Sequence, residues 1–573
     1  MFGTALIILA IGYVALFSPG AQAQTAAGKV RAASGKVRPT GPSVVEQRVE
    51  REPAAPRDVV FPLPEMGEDE VTAPEATGTA DIVLTGVQID GATVYPEAEL
   101  AAIYEPYLGG LFGIAEAEKI VTAITAKYQR DGYILSFATA QPQDMAYGIL
   151  SINVVEGFIE RVVFEGPVEA RRSLLLSFAE KLKAARPLTQ AALERYVMLM
   201  DDLPGLDARP ALRALDKASG GHELVLRLAQ DDFQGYASID NKSTRPVGRH
   251  VMQISANFNS LLGQYERTAL IAYTVPDNNR ELMFLEGQQE YPLNSEGTLL
   301  GIDAWHSVSE SGANDKPLDL DSFDTRAAVY LVHPVIRSRD LSLFVTGTFD
   351  YHDTQETIAG VNVYDDRIRS LRLTARSFFV DSMDGENILI GSASQGLQIF
   401  DASSNDAVNK SRNGGKTDYR KIEAFYTRYQ ALPGPWSAQL GLRGQYMSGG
   451  ALSGEEFRVG GGNFGRAYDP SEVSGDYGAA GYLEMQYNLA ARNVLFLSTQ
   501  AFSFYDLGAA WNNDPLLGTS KTSIASAGIG VRALLPKNVR MTLEMAKPLT
   551  EPVFAEGTQG DHFRYFFGFN VGF

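Results

Sequence analysis

The sequence predicts two small α+β modules, each of order βααββ, followed by an all-β, 16-stranded antiparallel transmembrane barrel. Three observations predict this. Helical periodicity is confined to roughly residues 81–230 and almost vanishes from Phe233 to Phe573. Over that second stretch sixteen amphipathic runs recur, about 21 residues for each strand and connection, which suits a barrel. The connections alternate between short turns and long polar loops, as in an even-stranded outer-membrane barrel with its short turns in the periplasm.

Thr4 to Phe17 is an apolar run, followed by Ser18-Pro19-Gly20 and Ala21-Gln22-Ala23. It is short for a bilayer span and ends at an A-x-A site, so residues 1–23 read as a cleaved signal peptide. No Lys or Arg precedes the run, which leaves the positive charge to the α-amino group or to a start further upstream. No later segment carries eighteen consecutive apolar residues, so no transmembrane helix is expected.

Residues 24–80 are rich in Ala, Pro, Glu and Arg, with Phe61 as their one aromatic. Such a stretch buries no core and reads as a linker. Within it, Ser43-Val44-Val45-Glu46 has capping-box spacing for a short polar helix reaching Glu52; a disordered tether is the alternative.

The first module spans 81–157. A strand from Asp81 to Ile89 precedes helices at Pro96–Leu108 and Ala115–Arg130. The second helix places Ile120, Ala123, Ile124 and Lys127 or Tyr128 on one narrow face and stops at Gly132. Strands at Tyr133–Thr139 and Gly148–Val155 follow. The second module, 158–230, repeats the order. A strand at Ile159–Phe164 leads to helices at Val168–Ala184 and Thr189–Leu203. Thr189 caps the latter, which buries Leu193, Tyr196, Val197 and Met200. The module's final strand carries Leu224, Leu226 and Leu228.

The barrel, 231–573, has strands beginning near Gly235, Val251, Tyr265, Glu281, Thr298, Phe323, Leu341, Arg367, Glu386, Asp418, Trp436, Gly478, Val494, Ser523, Val539 and Phe563. In the last, Phe563, Tyr565, Phe567, Phe569, Val571 and Phe573 alternate with Arg564, Gly568, Asn570 and Gly572, an outer-membrane signature ending on Phe573. Closure removes the sheet edges and satisfies every backbone group in lipid.

Two stretches stand apart. Phe457 to Pro470 contains Gly460-Gly461-Gly462-Asn463-Phe464-Gly465-Arg466-Ala467-Tyr468 and is too rich in glycine to be regular structure, so it is a loop. It connects the eleventh and twelfth strands on the outer side. In the thirteenth strand, about forty residues on, Tyr505, Leu507, Ala509 and Trp511 share one face, and Ser498, Gln500, Asp506 and Gly508 the other. Asp506 then faces a lumen of low dielectric and needs a partner. Arg466, on a loop long enough to fold back, is the candidate.

Composition narrows the function. A net charge of −19 argues against a nucleic-acid binder. There is no cysteine, and the six histidines are scattered with none at metal-ligand spacing, so neither metal nor cofactor is expected. The glycines at 460–465 lack the Gly-Lys-Ser/Thr ending of a phosphate loop. No catalytic set is arguable from spacing, and a translocator, not an enzyme, is expected.

These features resemble the two-partner secretion transporters (TpsB) of the ShlB/FhaC/HecB haemolysin-activator type, part of the superfamily of outer-membrane assembly and translocation barrels. The resemblance covers about Asp81 to Phe573. The two modules look like tandem POTRA domains. Tyr128, Gly132 and Tyr133, then Glu156 and Gly157, match the family's Tyr-x-x-x-Gly-Tyr and Val-x-Glu-Gly patterns. Glu194, Arg195, Pro204 and Gly205 match its Leu-Glu-Arg helix ending in Leu-Pro-Gly. Gly465-Arg466-Ala467-Tyr468 is similar to the Val-Arg-Gly-Tyr motif of the sixth outer loop, with Ala467 in place of Gly. Phe504, Asp506 and Gly508 match Phe-x-Asp-x-Gly on the barrel wall. The resemblance implies an Arg466–Asp506 pair, a possible N-terminal plug helix, and secretion of an unfolded exported partner, a large haemolysin- or adhesin-like exoprotein, through the pore. It further implies contact with outer-membrane lipid, and with periplasmic chaperones and the barrel assembly machinery for the protein's own insertion. An assembly insertase, and less so a passive porin, are the alternatives.

Overall fold

The computed structural model describes residues 82–573 apart from 142–146, 167–171, 217, 313–315, 318, 463, 490–495, 515–517 and 555–559. The expected signal peptide and the linker with its plug helix lie outside the described residues.

The first module comprises β1 (Ile82–Val83), β2 (Gly86–Asp90), α1 (Glu97–Tyr104), β3 (Leu111–Phe112), α2 (Ile114–Arg130), β4 (Phe137–Thr139) and β5 (Ile149–Val155). Its sheet runs β2-β5-β4, with β2 parallel and β4 antiparallel to β5. The single strand expected at 81–89 is interrupted. Leu84 turns into the core and is fully buried, while the Thr85 amide bonds Gly148 O at 2.7 Å. β1 therefore pairs with β3 instead of joining the main sheet. The strand expected from Tyr133 begins only at Phe137, because the Ser136 amide closes a turn onto Tyr133 O and sends Leu135 into the second module's core. On α2 the apolar stripe is Ile120, Ile124 and Tyr128, four residues apart. Lys127 instead points outward to Glu99 and Asp131.

The second module comprises β6 (Phe158–Glu165), α3 (Arg172–Ala184), α4 (Gln190–Asp201), β7 (Leu206–Asp216) and β8 (Gly221–Gln230), with sheet order β6-β8-β7. Thr189 caps α4, its hydroxyl accepting from the Ala192 amide at 3.2 Å. Leu193, Val197 and Met200 are buried beneath it, whereas Tyr196 is only half-buried.

Sixteen strands then close antiparallel, from β9 (Phe233–Asp240) through β19 (Trp436–Ser448) and from β22 (Tyr477–Leu489) to β26 (Arg564–Gly572). Each begins close to its expected start. The largest departures lie at the outer ends, where β16 (Val361–Val380) starts at Val361 instead of near Arg367 and β24 (Gly518–Leu535) starts at Gly518. β14 (Leu320–Arg337), β15 (Leu341–Ile358) and β16 run 18, 18 and 20 residues, about twice what a bilayer crossing needs. Their outer halves rise beyond the membrane band and carry polar residues, the exposed Asn362 and the buried Asp366 bound by Ser411 among them, so the apolar alternation that marks a lipid-facing strand is lost there. Within the membrane band Leu371, Leu373, Ile422, Leu483 and Leu507 point outward and exposed, with lipid as their solvent.

Candidate functional site

The connection from β19 to β22 (residues 449–476) folds back into the lumen. It forms its own two-stranded ribbon from β20 (Phe457–Val459) and β21 (Val473–Gly475). Gly460, Gly461 and Gly465 take φ of +119°, +80° and +90°, where a side chain is strained. A Cβ on Gly460 would lie 2.2 Å from Asp469 O. Ala467 has no positive φ. The left-handed step belongs to Gly465, so alanine serves where the motif has glycine. The tip closes with Gly460 N to Phe464 O at 2.7 Å and Tyr468 N to Gly465 O at 2.8 Å.

Apolar contact holds this loop in place. Phe457, Val459, Phe464, Ala467, Tyr468 and Val473 pack as one cluster with inward wall residues including Phe502, Phe504, Ile524 and Phe566. Phe504 and Asp506 lie on β23 (Ser498–Asp514), Asp506 fully buried. Arg466 meets Asp506 through its backbone amide (2.8 Å), Nε (3.2 Å to Oδ1) and Nη2 (3.0 Å), and Ser526 Oγ donates to the same carboxylate at 3.1 Å. The guanidinium carbon lies 3.6 Å from the Phe504 ring centroid, a cation–π contact in a desolvated place. Gly508 lets the loop approach: a Cβ there would sit 2.4 Å from Val459 Cγ1. Tyr468 is buried, its hydroxyl donating to Ala525 O at 3.2 Å.

Sequence reasoning missed three groups here. Glu484 on β22 receives Arg466 Nη1, and it also takes two bonds from Arg532 on β24 (2.6 and 3.0 Å). Arg564 bonds Ala467 O at 2.8 Å and Asp469 at 2.5 Å. The available signal was parity: Tyr482, Glu484 and Gln486 alternate inward on β22, and an inward glutamate needs a cation.

The POTRA signatures serve two different contacts. Tyr128, fully buried, donates to Glu156 at 2.8 Å and packs edge-on against Tyr95 and Tyr133. Glu156 also accepts the amides of Thr93 (2.7 Å) and Val94 (3.0 Å) and the Thr93 hydroxyl, pinning the β2–α1 loop. Gly132 has φ +91° and its carbonyl accepts from Gln190, while Gly157 lies against Leu135, whose Cβ would be 2.5 Å from an added Cβ. Burial pushes the Glu156 carboxyl up, but the hydrogen bonds from Thr93, Tyr128 and Val94 outweigh it and hold the pKa below its ordinary 4.5. A depressed folded pKa contributes stability that is present above the unfolded value and lost as pH falls through the folded one. Protection of the β2–α1 loop amides against hydrogen exchange in the full-length protein, taken relative to the intrinsic rate at each pH, is therefore expected to fall below about pH 4.5 in the wild type. In Glu156→Gln that protection is expected to be already low at pH 7 and unchanged across that window.

The second signature lies at the barrel's periplasmic rim. Arg195 on α4 reaches the carbonyls of Pro334 and Val335 and the Glu296 carboxylate, each at 3.3 Å. Pro204 follows α4, and Gly205 (φ +75°) accepts from Asp231 at 2.7 Å beside Asn259. Glu194 stays within the module, accepting from Gln190 at 2.8 Å. Arg337, at the end of β14, forms a two-pronged pair with Asp202 (2.7 and 2.8 Å), and Tyr265 from the barrel is buried in the second module's core. Phe573 exchanges both backbone bonds with Gly235 (2.7 and 3.0 Å), extending the β26–β9 seam.

Comparison with known proteins agrees with this architecture. Residues 82–157 match the POTRA domain, ShlB-type, and residues 305–533 match the haemolysin secretion/activation protein ShlB/FhaC/HecB. The heme/hemopexin transporter protein HuxB of Haemophilus influenzae (strain 86-028NP) is 22% identical over 469 residues, 79% of this chain and 80% of that protein. The outer membrane transporter CdiB of Escherichia coli is 26% identical over 183 residues, 31% of this chain and 30% of that one. The solved structure of CdiB from Escherichia coli shares the fold, with TM-score 0.71 at 18% identity over 89% of this chain and 94% of that one. CdiB from Acinetobacter baumannii does so with TM-score 0.58 at 15% identity over 95% and 96%. With ShlB-type matches in both its periplasmic module and its barrel, the chain belongs to the ShlB/FhaC/HecB haemolysin secretion/activation family, the outer-membrane transporters of two-partner secretion.

Proposed function

We propose that the two periplasmic modules take up an unfolded, exported partner and pass it into the barrel, and that the Arg466 loop sets whether the lumen is open to it. Main-chain capture suits an unfolded client. Each three-stranded sheet has two edges, β2 and β4 in the first module and β6 and β7 in the second, to which an extended chain can add. The partner is a large exoprotein of haemolysin or adhesin type. Movement needs no catalysis, because folding outside the cell biases it outward. Periplasmic chaperones and the barrel assembly machinery bring the barrel into its own membrane. The observation that carries this reading is the loop itself, drawn into the lumen and tied to the wall by Arg466 with both carboxylates.

The test is secretion. With the partner co-expressed, the wild type is expected to deliver it to the medium, and Arg466→Ala to lower that yield at least about ten-fold, the effect of roughly 1.4 kcal/mol, while heat-modifiable migration shows a folded barrel. An Arg466→Ala barrel that does not fold would make the pair structural. Normal secretion would remove the loop's role.

A further inference from the structure

We propose that Glu455 is a second ionic anchor of the same loop, and that the loop leaves the lumen only when both anchors part. This rests on the movement proposed above. Glu455 lies in the short turn Ser453–Glu455, eleven residues before Arg466, and is buried. It meets Lys421 of β18 (Arg420–Ala431) at 2.5 Å and Arg372 of β16 at 4.0 Å. Arg466 is held by β22 and β23, so the two anchors grip the wall on either side of β19, where the loop departs.

The wall has a place for this carboxylate. Asp350 is shared between Arg326 and Arg372, Asp303 also meets Arg326, and Glu423 is shared between Lys421 and Arg443. These four wall cations thus meet three wall carboxylates, and Glu455 is the fourth, supplied by the loop. Stripped of it, Lys421 and Arg372 would keep positive charge in a confined lumen, a costly state. The surrounding backbone fixes the turn. Gln445 on β19 donates to Glu455 O at 2.8 Å, and a Cβ on Gly454 would sit 3.1 Å from His352 Cε1 on β15, so the turn lies flat on the wall. Neither the glycine-rich motif nor its wall partner includes this position.

The chain has no cysteine, so Val473→Cys places a single thiol in the buried ribbon of the loop, at a position that is neither anchor. The probe is a membrane-impermeant maleimide added to intact cells carrying the full-length protein. Glu455→Gln and Lys421→Met are each expected to speed labelling at least about ten-fold, as breaking a buried pair should. Arg466→Ala is expected to do likewise, and Arg466→Ala with Glu455→Gln to exceed either. Lys421→Arg, which keeps the charge, is expected to label at the parent rate. If Arg466→Ala speeds labelling while Glu455→Gln and Lys421→Met do not, the second anchor is refuted and the loop's movement stands. If Arg466→Ala also leaves labelling slow, the movement itself fails. If Glu455→Gln does not give a folded barrel, Lys421→Met decides the matter.

Discussion

Asp506→Ala is expected to abolish export of the partner, and Arg466→Ala combined with Asp506→Ala to be no worse than either change alone. Asp506 accepts from three donors of Arg466 and from Ser526 while fully buried. Removing it leaves Arg466 with Glu484, which Arg532 already engages. A buried pair broken on one side costs about 3–5 kcal/mol, most of it the stranded charge. Removing both partners takes that stranded charge away, so the effects should be far from additive. The check is a double-mutant cycle on secreted yield and on the barrel's heat-modifiable midpoint. If the two single effects simply add, the residues act separately and the ion pair is not what holds the loop.

The second large effect is expected at the rim. Asp202→Ala should loosen the second module from the barrel by about 2–3 kcal/mol, whereas Arg337→Met should be milder. The asymmetry follows from burial: the Arg337 side chain is 2% exposed and that of Asp202 31%. Losing the aspartate strands a buried guanidinium beside Met198 and Ser342. Losing the arginine leaves a carboxylate that water reaches. Hydrogen exchange in α4 and in the turn following β14 should rise more in Asp202→Ala than in Arg337→Met. The reverse order would place the strength of this junction elsewhere, in the apolar contact of Leu199 with Gly297 and in Tyr265.

Much of the architecture was legible because two periodicities recur so often. A period of two, repeated over sixteen runs, sets inward and outward faces whatever the composition of any one strand. Asp506 was readable for that reason: its parity placed it inside, and a buried charge needs a partner. Other features had no such signal. The bend at Leu84 depends on a bond to Gly148, more than sixty residues on, which no local pattern announces. The outer halves of β14 to β16 left the membrane and lost their alternation. Glu484 shared the parity signal of Asp506, but only the folded register shows that its cations are Arg466 and Arg532. Glu455, a polar residue in a polar loop, carried no signal at all. At Ala467, where the motif has glycine, the sequence does not show which residue takes the left-handed conformation; it is Gly465.

The seam where β26 meets β9 also determines how the protein must be made. Its ladder runs from Gly568 with Asp240 to Gly572 with Tyr236 and is extended by Phe573 with Gly235, and the Tyr236 hydroxyl reaches Asn570 at 2.7 Å across 334 residues of chain. Other neighbouring strands of the barrel are consecutive and can pair as local hairpins, apart from β19 and β22, which the lumen loop joins. This contact alone requires the two ends of the whole domain to find each other, and its loop-closure entropy is met by a short ladder. Closure therefore comes last in folding. Until then β9 and β26 are open edges that would template aggregation, so productive assembly depends on keeping those two strands apart from other chains for as long as the rest of the cylinder takes to form.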